Sequence, residues 1–164
     1  LIDDDYRSKN NKNFERFLFP IDQSTNFKFN KFFREITKNK SKTKKILDIK
    51  GRKLEIDNFY DNVIKFDFNE LCDRNLGSED YISITDSCDF LFIKNLPNFT
   101  ENNSNQQQRF ITLIDIFYEK KISLMISLDS NLENITSSTR LTEPFKRTLS
   151  RLFELTSPKD DFFT

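Results

Sequence analysis

Apolar residues along this chain recur with two different periods, and the switches between them mark out the elements. Residues 14–20 alternate loosely and end at Pro20, which predicts a short strand. Phe27, Phe29, Phe32, Phe33 and Ile36 then recur near helical spacing, predicting an amphipathic helix that runs into a solvated, lysine-rich loop from Lys38 to Lys45. The clearest local signal spans Ile46 to Ile56. There two alternating segments flank Lys50-Gly51-Arg52, and a β-hairpin is predicted. Val63 to Phe68 reads as a further strand leading into a short helix around Asn69 to Arg74. Ser78 is placed to cap the next helix, with Glu79 and Asp80 in the first turn, where the helix dipole favours acids.

At Phe90 the pattern changes. Phe90-Leu91-Phe92-Ile93 is a continuous apolar run, the mark of a strand buried on both faces. The polar stretch from Lys94 to Gln107, with Pro97, reads as a surface loop. Phe110, Ile111, Leu113, Ile114, Phe117 and Tyr118 follow at helical spacing, and Ile122 to Ile126 is a second fully apolar strand. Strand, loop, helix, strand predicts a right-handed β-α-β crossover in a mainly parallel sheet. A last amphipathic helix over Pro144 to Leu155 carries Arg147 and Arg151 four residues apart. The fold class is α/β.

Composition narrows the chemistry. With 164 residues the chain suffices for one core or for part of a larger domain. Nineteen Phe, with no Trp and no Ala, read as the codon bias of an AT-rich genome. The 26 basic and 26 acidic residues cancel, so no global field draws the chain onto nucleic acid or anionic lipid; any polyanion contact must be local, and the Lys38 to Lys53 region is where it would be. No His is present, which removes His bases, Ser-His-Asp and Cys-His pairs, and His-containing metal sites. Cys72 and Cys88 are too few and too far apart for a metal knuckle, and two buried reduced thiols are expected. No apolar run approaches the roughly 20 residues of a membrane span, and the N-terminus is no signal peptide. The chain begins at Leu1 rather than Met, and we expect a fragment of a longer protein.

A nucleotide site needs a loop whose backbone N–H groups cradle phosphate, together with a lysine. With Gly51 and Gly77 alone, no Gly-x-x-x-x-Gly-Lys-Ser/Thr pattern is present. The Phe90 to Ile93 strand ends in Lys94-Asn95, where an acidic pair would be needed to hold magnesium. Acids at Asp3 to Asp5 and Asp160-Asp161 cluster near the ends, as solvated termini do. Arg109, Arg147 and Arg151 begin or punctuate amphipathic helices, where a guanidinium could reach a phosphate or a neighbouring subunit's nucleotide. From spacing alone a surface salt bridge or helix–sheet contact is the simpler reading of each. Neither a catalytic nor a metal-ligating residue is expected in this segment.

Short motifs carry more than periodicity. Asp5-Tyr6-Arg7, Gly51-Arg52-Lys53-Leu54, Phe68-Asn69-Glu70-Leu71-Cys72, Leu76-Gly77-Ser78-Glu79-Asp80-Tyr81, Asn95-Leu96-Pro97, Arg109 to Asp115 with Tyr118-Glu119, and Phe145 to Leu155 occur in this order. The series resembles the C-terminal half of the ZapE-like, or lactation-elevated-protein-type, AAA ATPases. It departs from the family pattern at Gln108, where the first of two arginines is usual, at Leu155 in place of Met, and at Asp161-Phe162 in place of "YL". The loop after Ile126 is also short. The resemblance implies that residues 1–164 are the C-terminal portion of a P-loop ATPase whose Walker A, Walker B, sensor asparagine and main arginine finger lie upstream. It further implies ATP and Mg2+ bound mainly by that missing half, with Arg109, Arg147 and Arg151 supporting the nucleotide site or a subunit contact. A protein partner, such as the division machinery, and a homo-oligomer are expected, without nucleic acid and without a transmembrane segment. The expected location is the bacterial cytoplasm, with the mitochondrion as the alternative. A non-catalytic protein-interaction module is the alternative function.

Overall fold

Tight turns at one end of the chain and parallel crossovers at the other build a single sheet. In the computed structural model, which describes residues 16–157, its strands are β1 (Phe17–Leu18), β2 (Thr43–Ile49), β3 (Arg52–Tyr60), β4 (Val63–Asp67), β5 (Phe90–Leu96) and β6 (Ser123–Leu128). The sheet order is β1-β6-β5-β4-β3-β2. β1, β6, β5 and β4 pair in parallel, and β4 with β3 and β3 with β2 pair antiparallel. The expected hairpin and the expected parallel crossover are therefore both present. The sequence features at Asp3 to Arg7, Phe14 and Asp160 to Phe162 lie outside the described residues.

Local chemistry explains the connections. Ile49 pairs directly with Arg52, so Lys50 and Gly51 alone turn the first hairpin. Both have positive φ, 53° and 83°, as the twist of a two-residue loop demands. A second hairpin joins β3 to β4 through Asp61, at φ 63°, and Asn62. Helices follow at α1 (Gln23–Thr37), α2 (Phe68–Cys72), α3 (Ser78–Thr85), α4 (Ser104–Lys120) and α5 (Thr142–Leu155). Asp22 caps α1 by accepting the Thr25 N–H at 2.8 Å.

Several boundaries differ from the sequence expectation. Gly77, not Ser78, is the N-cap of α3, and the Asp80 carboxylate accepts the Gly77 N–H at 2.8 Å. The polar stretch after Phe90 is mostly structured: β5 runs on to Leu96, a 3-10 turn covers Glu101–Asn103, and α4 starts at Ser104. Its amide side chains are engaged locally: Asn103 Oδ1 accepts the Thr100 N–H at 2.7 Å, and the buried Gln107 donates from Nε2 to Ser137 Oγ at 2.7 Å. β2 begins at Thr43, inside the segment read as loop. Phe27 points to solvent, 63% exposed, rather than joining the helical stripe.

Side chains alternate across the sheet, and each face has its own core. On the first face Ile64, Phe66, Leu91, Ile93, Leu124 and Ile126 meet α2 to α5 through Leu71, Tyr81, Phe110, Phe117 and Leu152. On the second face Val63, Phe90, Phe92 and Met125 meet α1 through Phe29 and Phe33. Phe92 sits edge-on to both, with ring centroids 5.6 Å from Phe29 and 5.0 Å from Phe33. Each such ring, fully buried, stabilises the fold by about 1.5–3 kcal/mol through apolar burial. Cys72 and Cys88 are free and buried, as expected, and burial raises both thiols, Cys88 to about 12. Protonated at neutral pH, they serve as packing groups rather than nucleophiles.

Candidate functional site

Helical spacing sets Arg147 and Arg151 one turn apart on the same face of α5, and α4 lies alongside it. Between the helices stands Asp115, in the second half of α4. Arg151 Nη1 donates to Asp115 Oδ1 at 2.7 Å. Arg147 Nη2 reaches Oδ2 of the same carboxylate at 3.5 Å, the outer limit of a hydrogen bond. The Arg151 guanidinium also lies 4.6 Å from the centre of the Tyr118 ring, a cation–π contact. Tyr118 Oη donates to Glu154 Oε2 at 2.9 Å, and that bond holds its phenol above the ordinary value. The two arginines thus differ. Arg151 is 25% exposed and locked from two sides, whereas Arg147 is 58% exposed and only loosely held.

The cluster opens onto a shallow groove of about 460 Å³ lined by Ile82, Asp115, Ile116, Glu119, Lys120, Arg147 and Arg151. Lys120 is drawn aside by Asp86 at 3.3 Å. With Lys120 taken by Asp86, the two guanidiniums and the carboxylates of Asp115 and Glu119 balance in the groove, and Arg147 is the most loosely held of the cations. A guanidinium held this loosely is free to turn towards an incoming anionic group, either a phosphate or an acidic side chain of a partner. A wider groove of about 610 Å³, bordered by Ile36, Lys38, Lys40 and Phe59, lies at the other end of the sheet order beside β2 and β3.

Arg109 does not join this cluster. It precedes Asp115 by six residues, which turns it about 120° around the helix. Its Nη1 donates to the carbonyl of Cys72 at 3.0 Å. Cys72 ends α2, so a cation satisfies a terminal carbonyl where the helix dipole is negative. The three candidate arginines therefore occupy two places with two different surroundings.

Other residues of the sequence motifs, not singled out by spacing, pair across elements in the same way. Arg52 Nη1 donates to Asp80 Oδ1 at 2.6 Å, tying the first hairpin to α3. Burial by itself would raise the Asp80 carboxyl, but the Arg52 and Gly77 hydrogen bonds outweigh it and hold it below its ordinary value. Tyr81 Oη donates to the carbonyl of Leu71 at 2.8 Å. The signal available in the sequence was the set of complementary types, Arg with Asp and Tyr with Glu, within the quoted motifs.

Among the described residues, the carboxyl ends of β4 and β5 do not offer a place for Mg-ATP. At the carboxyl end of β5, Asn95 takes up φ 68° and gives its backbone N–H to Ser127 Oγ at 2.9 Å. Its side-chain amide donates to Asp67 Oδ2 at 2.8 Å, and the other Asp67 oxygen accepts the Asn69 N–H. Asp67 thus ends β4 as a carboxylate committed to capping α2. Among the described residues no group of three or more Cys, Asp and Glu is placed to hold a metal ion.

Comparison with known proteins completes the picture. The family model described as AFG1-like ATPase matches residues 3–160. Cell division protein ZapE of Escherichia coli (strain K12) is 28% identical over 153 residues, covering 93% of this chain and 41% of that protein. Lactation elevated protein 1 homolog B of Danio rerio is 30% identical over 111 residues, covering 68% of this chain and 22% of that protein. The chain thus spans less than half the length of these relatives. No solved structure matches it significantly.

Proposed function

The chain belongs to the AFG1-like ATPase family, and from that premise we propose that it is the C-terminal segment of an ATP-hydrolysing mechanoenzyme. In this reading a phosphate-binding half bears Mg-ATP, and the present segment completes the α/β body and passes the effect of hydrolysis to a partner protein. The observation that carries it is the uneven arginine pair. Arg151 spends its charge on Asp115 and Tyr118, whereas Arg147 stays exposed, with a bond at the limit of its range. An exposed, weakly held guanidinium is the kind of group that stabilises phosphate charge across an interface. The similarity to a cell division protein supports bacterial cell division as the setting and the cytoplasm as the place, and the similarity to a lactation-elevated-protein relative supports a mitochondrial alternative. A homo-oligomer would supply the interface that Arg147 needs. No helix among the described residues is long and apolar enough to cross a membrane.

The test uses a polypeptide that carries the family's nucleotide-binding half ahead of this chain. Arg147→Ala should lower ATP turnover about tenfold, equivalent to about 1.4 kcal/mol in the barrier, with an unchanged melting temperature. Unchanged turnover removes Arg147 from the site. The second reading, a non-catalytic interaction module, is favoured by the lack of any glycine-rich phosphate loop within the 164 residues. Reading the coding sequence upstream of Leu1 discriminates: a Gly-x-x-x-x-Gly-Lys-Ser/Thr frame supports the ATPase, and a stop followed by a start near Leu1 supports the module.

A further inference from the structure

The two edges of the sheet differ. β1 closes one edge with 2 residues, whereas the other is β2, 7 residues long from Thr43 to Ile49. Among the described residues no strand pairs with the outer side of β2, so alternate N–H and C=O groups along it face away from β3. Proteins usually blunt such an edge with proline, a bulge or a short length. β2 holds no proline, and the register shift of its pairing lies at the amino end, between Thr43 and Lys45. From Lys45 to Ile49 the ladder is regular, and the ion pair of Arg52 with Asp80 fastens the hairpin to α3. The edge is therefore preformed, and a strand laid along it need not order it first.

The side chains of β2 define what suits that edge. Lys45, Leu47 and Ile49 stand on the face shared with Ile56 and Leu54, and Lys44, Ile46 and Asp48 on the face shared with Glu55. Both faces thus begin with a lysine and continue with an apolar residue, and Ile46 is 53% exposed. The run from Lys38 to Lys45 carries five lysines and no acid. Lys40 pairs with Asp61 and Lys44 with Glu55, but among the described residues no carboxylate lies within ion-pair distance of Lys38, Lys42 or Lys45. Lys38, Lys40 and Thr43 all line the groove of about 610 Å³, so positive charge gathers at the amino end of the strand. A second copy of this basic run would set like charges side by side, which is destabilising, whereas an acidic strand is drawn in.

We propose that the free edge of β2 takes up an extended, acidic segment of a partner polypeptide as an added strand. Backbone hydrogen bonds to the sheet edge supply the affinity, and the side chains supply the choice of partner. The added strand runs antiparallel, the slightly more stable pairing. It sets acids beside Lys42, Lys44 and Lys45 and a pair of apolar residues beside Ile46 and Leu47. Arg147 takes no part, and the proposal holds whether or not the chain belongs to a working ATPase.

The experiment titrates the synthetic peptide acetyl-Thr-Lys-Val-Val-Glu-Glu-Thr-Glu-amide into the 164-residue chain at low salt and follows backbone amides by NMR. Saturable shifts centred on β2 are expected, with its outward N–H groups gaining protection from exchange. Two N-methylated forms of the peptide, one for each of its edges, carry the same charges and separate strand addition from attraction alone. Methylation of the edge that meets β2 removes donors and should weaken binding by about tenfold relative to methylation of the other edge. Replacing Lys42 and Lys45 together, Lys42→Gln with Lys45→Gln, should weaken the unmodified peptide by about tenfold and flatten its salt dependence. Lys146→Gln on α5 is the unaffected control. Equal affinity for the two methylated peptides, or shifts scattered over lysines throughout the chain, would overturn the proposal. So would a dimer of the chain, paired through β2, that the peptide does not displace.

Discussion

The two faces of the sheet are held by different means. On the first, polar side chains find one another across helices and strands: Arg52 with Asp80, Arg109 with the Cys72 carbonyl, Arg151 with Asp115, Tyr118 with Glu154. On the second, α1 is fastened by an apolar core rich in aromatic rings, and the cations around it outnumber their partners. The motifs that resemble the ATPase family supply the pairs of the first face. Arg52, Arg109 and Arg151 are each engaged by a carboxylate or a carbonyl there, and Arg147 is the most loosely held of the motif arginines.

Breaking the aromatic fastening should have the largest effect. Phe92→Ala removes contacts to Phe29, Phe32, Phe33 and Phe90 at once, and should cost about 3–5 kcal/mol in urea unfolding. Asp80→Asn attacks the first face. It leaves Arg52 without its charged partner and weakens the cap of α3, for a loss of about 2 kcal/mol. This change has a pH signature with a definite sign. Asp80 has a folded pKa below its ordinary 3.8, so its contribution is fully present above that value and fades as pH falls through the lower one. The acid limb of the stability curve should therefore be shallower in Asp80→Asn than in wild type; identical limbs would show that Asp80 is not the group responsible.

Arg151→Ala ranks below these at about 1 kcal/mol, since it removes a part-exposed ion pair and one cation–π contact. A larger loss would mean that the α4–α5 seam depends on this pair rather than on Phe110, Phe117 and Leu152. Smallest of all, Lys53→Gln breaks an exposed pair with Asp48 and should leave the unfolding midpoint where it was.

Sequence legibility followed the same division. Elements whose own residues determine them were plain: Lys50-Gly51 for the hairpin, Phe90 to Ile93 and Ile122 to Ile126 for the inner strands, Phe145 to Leu155 for α5. The hairpin at Asp61-Asn62 was hidden because no glycine marks it, although Asp61 takes the positive φ that glycine would advertise. The first turn of α4 was hidden because Ser104 to Gln108 show too little apolar period. Arg147 and Arg151 could be placed together from their spacing, but Asp115 lies 32 and 36 residues away from them and is brought in by packing.

The most direct measurement is ATP turnover in the polypeptide with a nucleotide-binding half, compared for wild type, Arg147→Ala and the adjacent, exposed Lys146→Gln. A fall of about tenfold for Arg147→Ala alone, with all three melting at the same temperature, is the predicted result. Equal turnover in the three would contradict it and leave Arg147, like Arg151, a structural partner of Asp115.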